Sequence, residues 1–354
     1  MRVHLTDLQP GDRLAEDIFT EQGLHVLSSG TVLQERDLSR LELLRIGYVE
    51  IERRSQVFRT EFATGESEPD IARQLRERLL PYYEDAVAGC ELLFKRAVEE
   101  GRILESEAEE SFRPLVDNFK AERDVISLLL MLNSQDDYTY QHSVQVGMLS
   151  YYLAKWLGWS EEETLLAGKA GFLHDIGKCR IPDTILGKPG KLTDEEFAEV
   201  RKHTTYGHEI ITASGGDPAV AAAALQHHER SNGSGYPSGL AGDRIHPMAR
   251  VVAVADVYSA MISSRAYQEK QDLLAVLKEM HRLSFKELDP QMTQTFIRHM
   301  LPNFIGKKAE LASGEVGVVV MNHPTDLFRP LIRIGERYVD TSSDPSCEIK
   351  QIIL

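Results

Sequence analysis

The sequence predicts a mainly α-helical protein with a small α+β unit at its N-terminus and a small β-rich appendage at its C-terminus. Three observations carry that prediction. From residue 70 to about residue 303, apolar residues recur at helical spacing, and several segments open on helix-capping patterns. After Gly306 the apolar period changes to two. Before residue 55, short β-type runs surround one helical stripe.

A chain of 354 residues has the length for two or more units and enough apolar material for a large core. Its hydrophobic content of 42% and charged content of 27% are ordinary for a globular protein. The net charge of −15 argues against a nucleic acid polymer or an anionic membrane as the main partner. A small phosphate ligand is compatible with it, because bound cations reverse the local field. The acidic runs Glu105 to Glu110 and Glu161 to Glu163 read as solvated helix faces. Cys90, Cys179 and Cys347 are odd in number and far apart, with no disulfide or metal spacing, so a reducing compartment is expected. Cys179 has no base predicted beside it and is not read as a nucleophile. The sequence shows no basic-then-apolar leader, and apolar runs such as Ile126 to Leu132 are far too short for a bilayer. No membrane insertion and a cytoplasmic location are expected.

Residues 1–54 form the α+β unit. Leu14 to Thr20 and Leu24 to Leu27 read as short strands around Gln22-Gly23. Leu38, Leu41 and Leu44 share one helix face ended by Gly47, and Tyr48 to Ile51 is a closing strand. Residues 55–69 read as a linker. Residues 70–132 form a helical connecting region, with Leu75, Leu79, Tyr82 and Val87 near one stripe. A polar break runs from Arg102 to Glu110, and helix resumes over Leu115 to Leu132. Such helices are expected to pack onto the next domain; a homodimer interface, or a face for other signalling proteins, is the second choice. In residues 306–354, Ala309 and Leu311, then Val316, Val318 and Val320, flank Ser313-Gly314 as a hairpin. Leu331 to Ile334 and Ile349 to Leu354 are further strands.

The chemistry concentrates in the helical middle. Seven of the chain's twelve histidines lie between His142 and His246. Ser160 with Glu163, and Thr193 with Glu196, form capping boxes for the helices that lead to His174 and His203. Asp217-Pro218 starts the helix leading to His227 and His228, and Pro247 opens the apolar helix that carries Asp256. The stretch Gly171-Phe172-Leu173-His174-Asp175-Ile176-Gly177-Lys178 is the centre of this pattern. Its adjacent imidazole and carboxylate suit one metal ion and a bridge to a second. Lys178, three residues after Asp175, aims an ammonium at the same spot.

A His-Asp pair alone is common by chance; its company is not. His142, His174, Asp175, His203, His227, His228 and Asp256 supply five imidazoles and two carboxylates. Without thiolate, such a set suits Fe, Mn, Zn or similar ions in five- or six-coordinate sites rather than a closed structural zinc. Seven ligands exceed the need of one ion, which favours two ions with Asp175 as the bridge. For any single histidine, a hydrogen-bonded core residue is the competing reading. It weakens for His227-His228, because two adjacent buried imidazoles without a ligand are costly to desolvate. The loop from Glu229 to Pro237 follows directly, with Gly233 and Gly235 permitting a tight path and Tyr236-Pro237 a rigid aromatic end.

His174-Asp175-Ile176-Gly177-Lys178, His227-His228-Glu229, Gly235-Tyr236-Pro237 and Ala253-Val254-Ala255-Asp256-Val257-Tyr258 together resemble the HD-GYP family. These are bacterial metal-dependent phosphodiesterases acting on cyclic di-GMP, a branch of the HD phosphohydrolase superfamily. The resemblance covers roughly residues 120–305 and implies an HD-type helical bundle there. It implies two divalent ions, Fe or Mn first, with Zn, Mg, Ni or Co as further options, held by the seven residues above. It implies hydrolysis of cyclic di-GMP to pGpG, with GMP following if the linear form rebinds well, through a metal-bridging hydroxide, with Asp175 and Lys178 as catalytic residues. Lys178, Arg265, Tyr236 and Tyr138 are the implied substrate contacts. Tyr138 stands where members with three metals carry a Glu, which points to two ions here. Gln268 replaces a basic substrate residue of some members, and Ser259 and Ser264 stand where acidic residues are often found. These last departures bear on substrate affinity. The alternatives are a cyclic di-GMP receptor or partner-binding protein with little or no hydrolysis, and an HD-type nucleotidase.

Overall fold

The computed structural model describes residues 2–4, 8, 11–19, 25–34, 37–38, 41, 44, 46, 48–51, 68–120, 138–188, 190–262, 273–323, 326–343 and 347–353. The chain divides into two compact units, Met1–Glu66 with Met300–Leu354, and Ser67–His299.

The first unit is rich in strands. β1 (Arg2–His4) pairs antiparallel with β4 (Tyr48–Glu50), and β2 (Ile18–Phe19) with β3 (His25–Leu27). β5 (Lys308–Leu311), β6 (Val316–Met321), β7 (Leu331–Ile334), β8 (Arg337–Asp340) and β9 (Ile349–Ile353) form an antiparallel sheet in the order β8-β7-β6-β5-β9. The sequence reading treats the two ends of the chain as separate pieces. In the structure they share a core: Leu14, Val26, Leu33, Leu41 and Ile51 pack with Met321, and Leu331 lies against them. Neither piece has the apolar area to bury a sheet face alone, and local periodicity carries no sign of a partner hundreds of residues away.

Two further differences have local causes. β1 and β8 have no counterpart in the sequence reading, because each is short and polar enough to show no alternation. In β6 the inward residues are Gly317, Val319 and Met321, while Val316 is 49% exposed. With valines on both faces of the strand, a period of two does not choose the buried one.

The second unit is helical: α1 (Glu68–Glu100), α2 (Glu105–Phe119), α3 (Tyr138–Trp156), α4 (Glu161–Leu173), a 3-10 turn (Ile176–Arg180), a single turn (Asp183–Leu186), α5 (Asp194–Arg201), α6 (His203–Ala213), α7 (Pro218–Gln226), α8 (Pro247–Ile262), α9 (Leu273–Leu283) and α10 (Pro290–Met300). The molecule is thus mainly α with small β sheets. Both predicted capping boxes form, at Ser160 with Glu163 and Thr193 with Glu196, and Asp217 caps α7 through the backbone N–H of Ala219. The break between α1 and α2 is shorter than predicted. It spans residues 101–104 and turns on Gly101 at φ +70°, so Glu105 to Glu110 are helical. The buried stripe of α1 is Leu79, Tyr83, Ala86, Cys90, Leu93 and Ala97, and Tyr82 and Val87 are only half-buried. Residues 121–132 and residues 55–67 of the linker predicted at 55–69 lie outside the described residues, and residues 68 and 69 already belong to α1. Among the described residues no helix is long and apolar enough to cross a membrane.

Small residues set the spacing around the centre of this unit. α4 packs along α3, and a Cβ on Gly171 would sit 2.6 Å from the Val146 carbonyl oxygen. A Cβ on Gly177 would sit 2.0 Å from the His203 carbonyl oxygen. Both distances are below any tolerable contact. Glycine at these two positions lets α3 approach α4, and the 3-10 turn approach α6, closely enough for their histidines to meet.

Candidate metal centre

Three of the histidines are placed by the same device. His174 and His227 directly follow the last turns of α4 and α7, and His203 lies just beyond α5. Carbonyls near a helix C-terminus lack intrahelical partners. His174 Nδ1–H donates to the Gly171 carbonyl at 2.7 Å, and His203 Nδ1–H to Val200 at 2.7 Å. His227 Nδ1–H donates to the Ala224 carbonyl at 2.9 Å and that of Ala223 at 3.1 Å. Each bond commits the proton to Nδ1, so each neutral ring turns an Nε2 lone pair inward.

His142 is inside α3, and side chains meet both of its ring nitrogens. Its Nδ1 meets the Ser259 hydroxyl at 3.0 Å, and its Nε2 meets Asp256 Oδ1 at 3.0 Å. The donor atoms gather in two trios, His142, His174 and Asp175, and His203, His227 and His228, each with its ligand atoms within 4.8 Å of one another. Asp175, a member of the first trio, also reaches the second, and Asp256 lies beside both. Asp175 Oδ2 lies 3.3 Å from His174 Nε2 and 3.9 Å from His142 Nε2, and its Oδ1 lies 3.4 Å from His203 Nε2 and 4.0 Å from His227 Nε2. Asp256 Oδ1 faces His142 and His174, and its Oδ2 lies 4.0 Å from His228 Nδ1. Lys178 reaches in from a partly exposed position, its ammonium 2.5 Å from Asp175 Oδ2.

This donor set fits cations. His203 Nε2 and His227 Nε2 are 3.3 Å apart, and with both Nδ1 atoms donating elsewhere, two lone pairs face each other in a dry site. His174 Nε2 and Asp175 Oδ1 are buried without a hydrogen-bond partner. Buried polar atoms are normally satisfied, and a positive ion among these lone pairs satisfies all of them.

The charges agree. Burial resists ionisation of Asp175, yet His174, Lys178 and His203 hold its pKa well below the usual carboxylate value. Burial likewise opposes ionisation of Asp256, but the surrounding imidazoles, His142 nearest, outweigh it and push the pKa down. Burial pushes His203 and His227 down, His227 further because His228 adjoins it, and takes His228 to about 3. His174 moves up: burial lowers it, but the carboxylates of Asp175 and Asp256 prevail. Burial raises Cys179 to about 11, which keeps it a thiol, in line with its dismissal as a nucleophile.

Tyr236 closes one side. Its ring stacks on His228 with centroids 4.7 Å apart, and the Arg201 guanidinium lies over it at 5.0 Å. Glu229, 2% exposed, holds the loop in place by accepting from the backbone N–H of Ser238 at 2.7 Å and of Leu240 at 2.9 Å. A Cβ on Gly235 would sit 2.3 Å from the His228 carbonyl oxygen, so the loop passes too close for any other residue.

All seven predicted ligands, with Lys178 and Tyr236, therefore come together. Arg265, Ser264 and Gln268 lie outside the described residues. Tyr138 begins α3 one turn before His142, and its side chain lies outside what is described. Ser259 departs from its reading as a substrate-affinity position: it is fully buried and bonded to His142. Sequence reasoning also missed Gln145, to which Ser259 donates at 3.1 Å, and the anchoring role of Glu229. The spacing of three in both His142–Gln145 and Asp256–Ser259 was the available signal, since residues three apart share a helix face.

Residues 127–292 match a family described as the HD domain. A cyclic di-GMP phosphodiesterase of Pseudomonas aeruginosa is 40% identical over 207 residues, covering 58% of this chain and 50% of the relative. A cyclic di-GMP phosphodiesterase of Thermotoga maritima is 38% identical over 232 residues, covering 64% of this chain and 60% of the relative. A 3′3′-cGAMP-specific phosphodiesterase of Vibrio cholerae is 35% identical over 181 residues, covering 50% and 42%. The chain thus spans about half the length of these curated relatives.

Proposed function

We propose that the chain, a member of the HD-GYP family of HD-domain proteins, is a metal-dependent phosphodiesterase hydrolysing cyclic di-GMP to pGpG, and on to GMP if the linear form rebinds well. The observation that carries the reading is Asp175, whose two carboxylate oxygens face two different groups of imidazole lone pairs. That is the arrangement of a bridging ligand. Asp175 and Asp256 would help hold both ions, His142 and His174 would hold the first, and His203, His227 and His228 would hold the second. When bound, two divalent ions, Fe or Mn first, supply Lewis acidity and a water acidified to near neutral pH, which removes the need for a side-chain base.

The residues of the chain do the rest. The Nδ1 bonds of the histidines hold the ligand geometry without adjustment during turnover. Lys178, at the solvent edge, places its ammonium on a phosphate oxygen beside Asp175, and Arg265 offsets charge on the cyclic dinucleotide's phosphates. The Tyr236 ring, braced by His228 and Arg201, forms a wall against the nucleotide. Tyr138, a neutral phenol where a carboxylate would complete a third site, limits the centre to two ions.

Elemental analysis of the purified protein, followed by nucleotide chromatography after incubation with cyclic di-GMP and separately with 3′3′-cGAMP, tests this. The expected result is about two transition-metal ions per chain and metal-dependent appearance of pGpG. Binding of cyclic di-GMP without turnover in the metal-loaded protein returns the chain to the receptor reading. Three ions, one on the Tyr138 oxygen, overturns the role given to that residue.

A further inference from the structure

We infer that Ser259 and Gln145 form a positioning pair that fixes the tautomer of His142. The inference rests on the metal centre proposed above and concerns which side chains hold it in register. His174, His203 and His227 give their Nδ1 protons to backbone carbonyls, which only accept. His142 Nδ1 instead faces a hydroxyl, which is both donor and acceptor. A serine free to rotate could instead donate to Nδ1. That would put the ring proton on Nε2, point it at Asp256 Oδ1 3.0 Å away, and remove the lone pair a cation needs.

Gln145 removes the ambiguity. The single Ser259 proton goes to Gln145 Oε1 at 3.1 Å, which leaves the Ser259 oxygen as an acceptor facing His142 Nδ1. Ser259 is fully buried and Gln145 is 2% exposed, so water does not substitute for either. The four residues form a square on two helices, His142 and Gln145 three apart on α3, Asp256 and Ser259 three apart on α8. One edge is the ligand pair His142–Asp256 and the opposite edge is the positioning pair. Because this tautomer depends on two replaceable side chains, the His142 side of the centre is the one whose metal affinity substitutions away from the ligands control.

The test uses the metal-free full chain titrated with Co2+, read by visible absorption of the bound ion, with far-ultraviolet dichroism to report folding. Ser259→Ala should weaken one of two Co2+ sites about 10- to 100-fold, the usual effect of losing such an orienting partner, and leave the other unchanged. Gln145→Leu, which keeps both ligands and Ser259, should do the same. Ser259→Asn should restore wild-type affinity, because its side chain both accepts from Nδ1–H and donates to Gln145. The Ser259→Ala, Gln145→Leu double variant should be no worse than Ser259→Ala, since Gln145 acts only through the serine. Wild-type affinity in either single variant overturns the inference. So do additive losses, or an Asn variant no better than Ala. If Ser259→Ala does not fold, Gln145→Leu and Ser259→Asn decide alone. A wild-type chain that takes up no Co2+ overturns the metal centre itself, and this inference with it.

Discussion

The two halves of the centre are built from the same side chains and behave as opposites. The trio around His142 and His174 lies against both carboxylates, and His174 there holds its proton more tightly than a free histidine. The trio of His203, His227 and His228 has imidazoles as its nearest neighbours, and all three bind protons weakly. One half carries its own counter-charge; the other is a pocket of lone pairs in low dielectric. The difference teaches that residue type does not set a ligand's electrostatics. Distance to Asp175 and Asp256 does, and the bridging position of Asp175 makes the halves interdependent.

Removing that bridge should have the largest effect. Asp175→Asn keeps the shape but takes away the charge both trios share. Metal-dependent turnover should fall by more than the roughly 10- to 100-fold typical of an outer partner, with helical content retained. Full activity together with full metal loading would eliminate Asp175 as the bridge.

His227→Ala and His228→Ala act on one half only. Each should lower occupancy to about one ion per chain, leaving the His142 side loaded. Two ions retained in both variants would return the pair to ordinary core histidines.

Arg265→Ala should touch neither half. A charge-assisted contact to phosphate contributes about 1.5–3 kcal/mol, so substrate affinity should fall about ten- to a hundredfold. If metal content collapses and affinity stays, Arg265 is a scaffold residue.

Acid should separate the halves by sign. His203, His227 and His228 have folded pKa values below the unfolded value of 6.5, so the unfolded chain takes up more protons as pH falls below 6.5, down to about 3 for His228. Folding stability is lost across that window. Asp175 and Asp256 have depressed pKa values, so their contribution is present above 3.8 and is lost as pH falls further. His174 runs the other way: its contribution is full below 6.5 and is lost as pH rises through its raised folded value. With three histidines against one, the metal-free protein should melt roughly 5 °C lower at pH 5 than at pH 7. Calorimetry showing no decline would mean that the second trio is not buried neutral.

Much of this was legible before any coordinate. The capping boxes at Ser160 and Thr193, the Asp217-Pro218 start and the helix-terminal placement of His174 and His227 are local signals. A cap or a C-terminal histidine works on groups within four residues of itself, so the chain states it directly. The candidate ligand set was legible for a related reason, since five imidazoles and two carboxylates without thiolate already describe a type of ion.

What the tertiary structure alone decided is contact across distance. That Met321 joins the core of Leu14 and Ile51, that the inward face of β6 is Val319 and not Val318, and that Ser259 meets both His142 and Gln145 all depend on pieces far apart in the chain. A valine on each face, or a serine three residues after an aspartate, has the same sequence whichever neighbour it meets. Packing chooses among such equivalent residues, because only in the folded chain does one of them lose its water and need a partner.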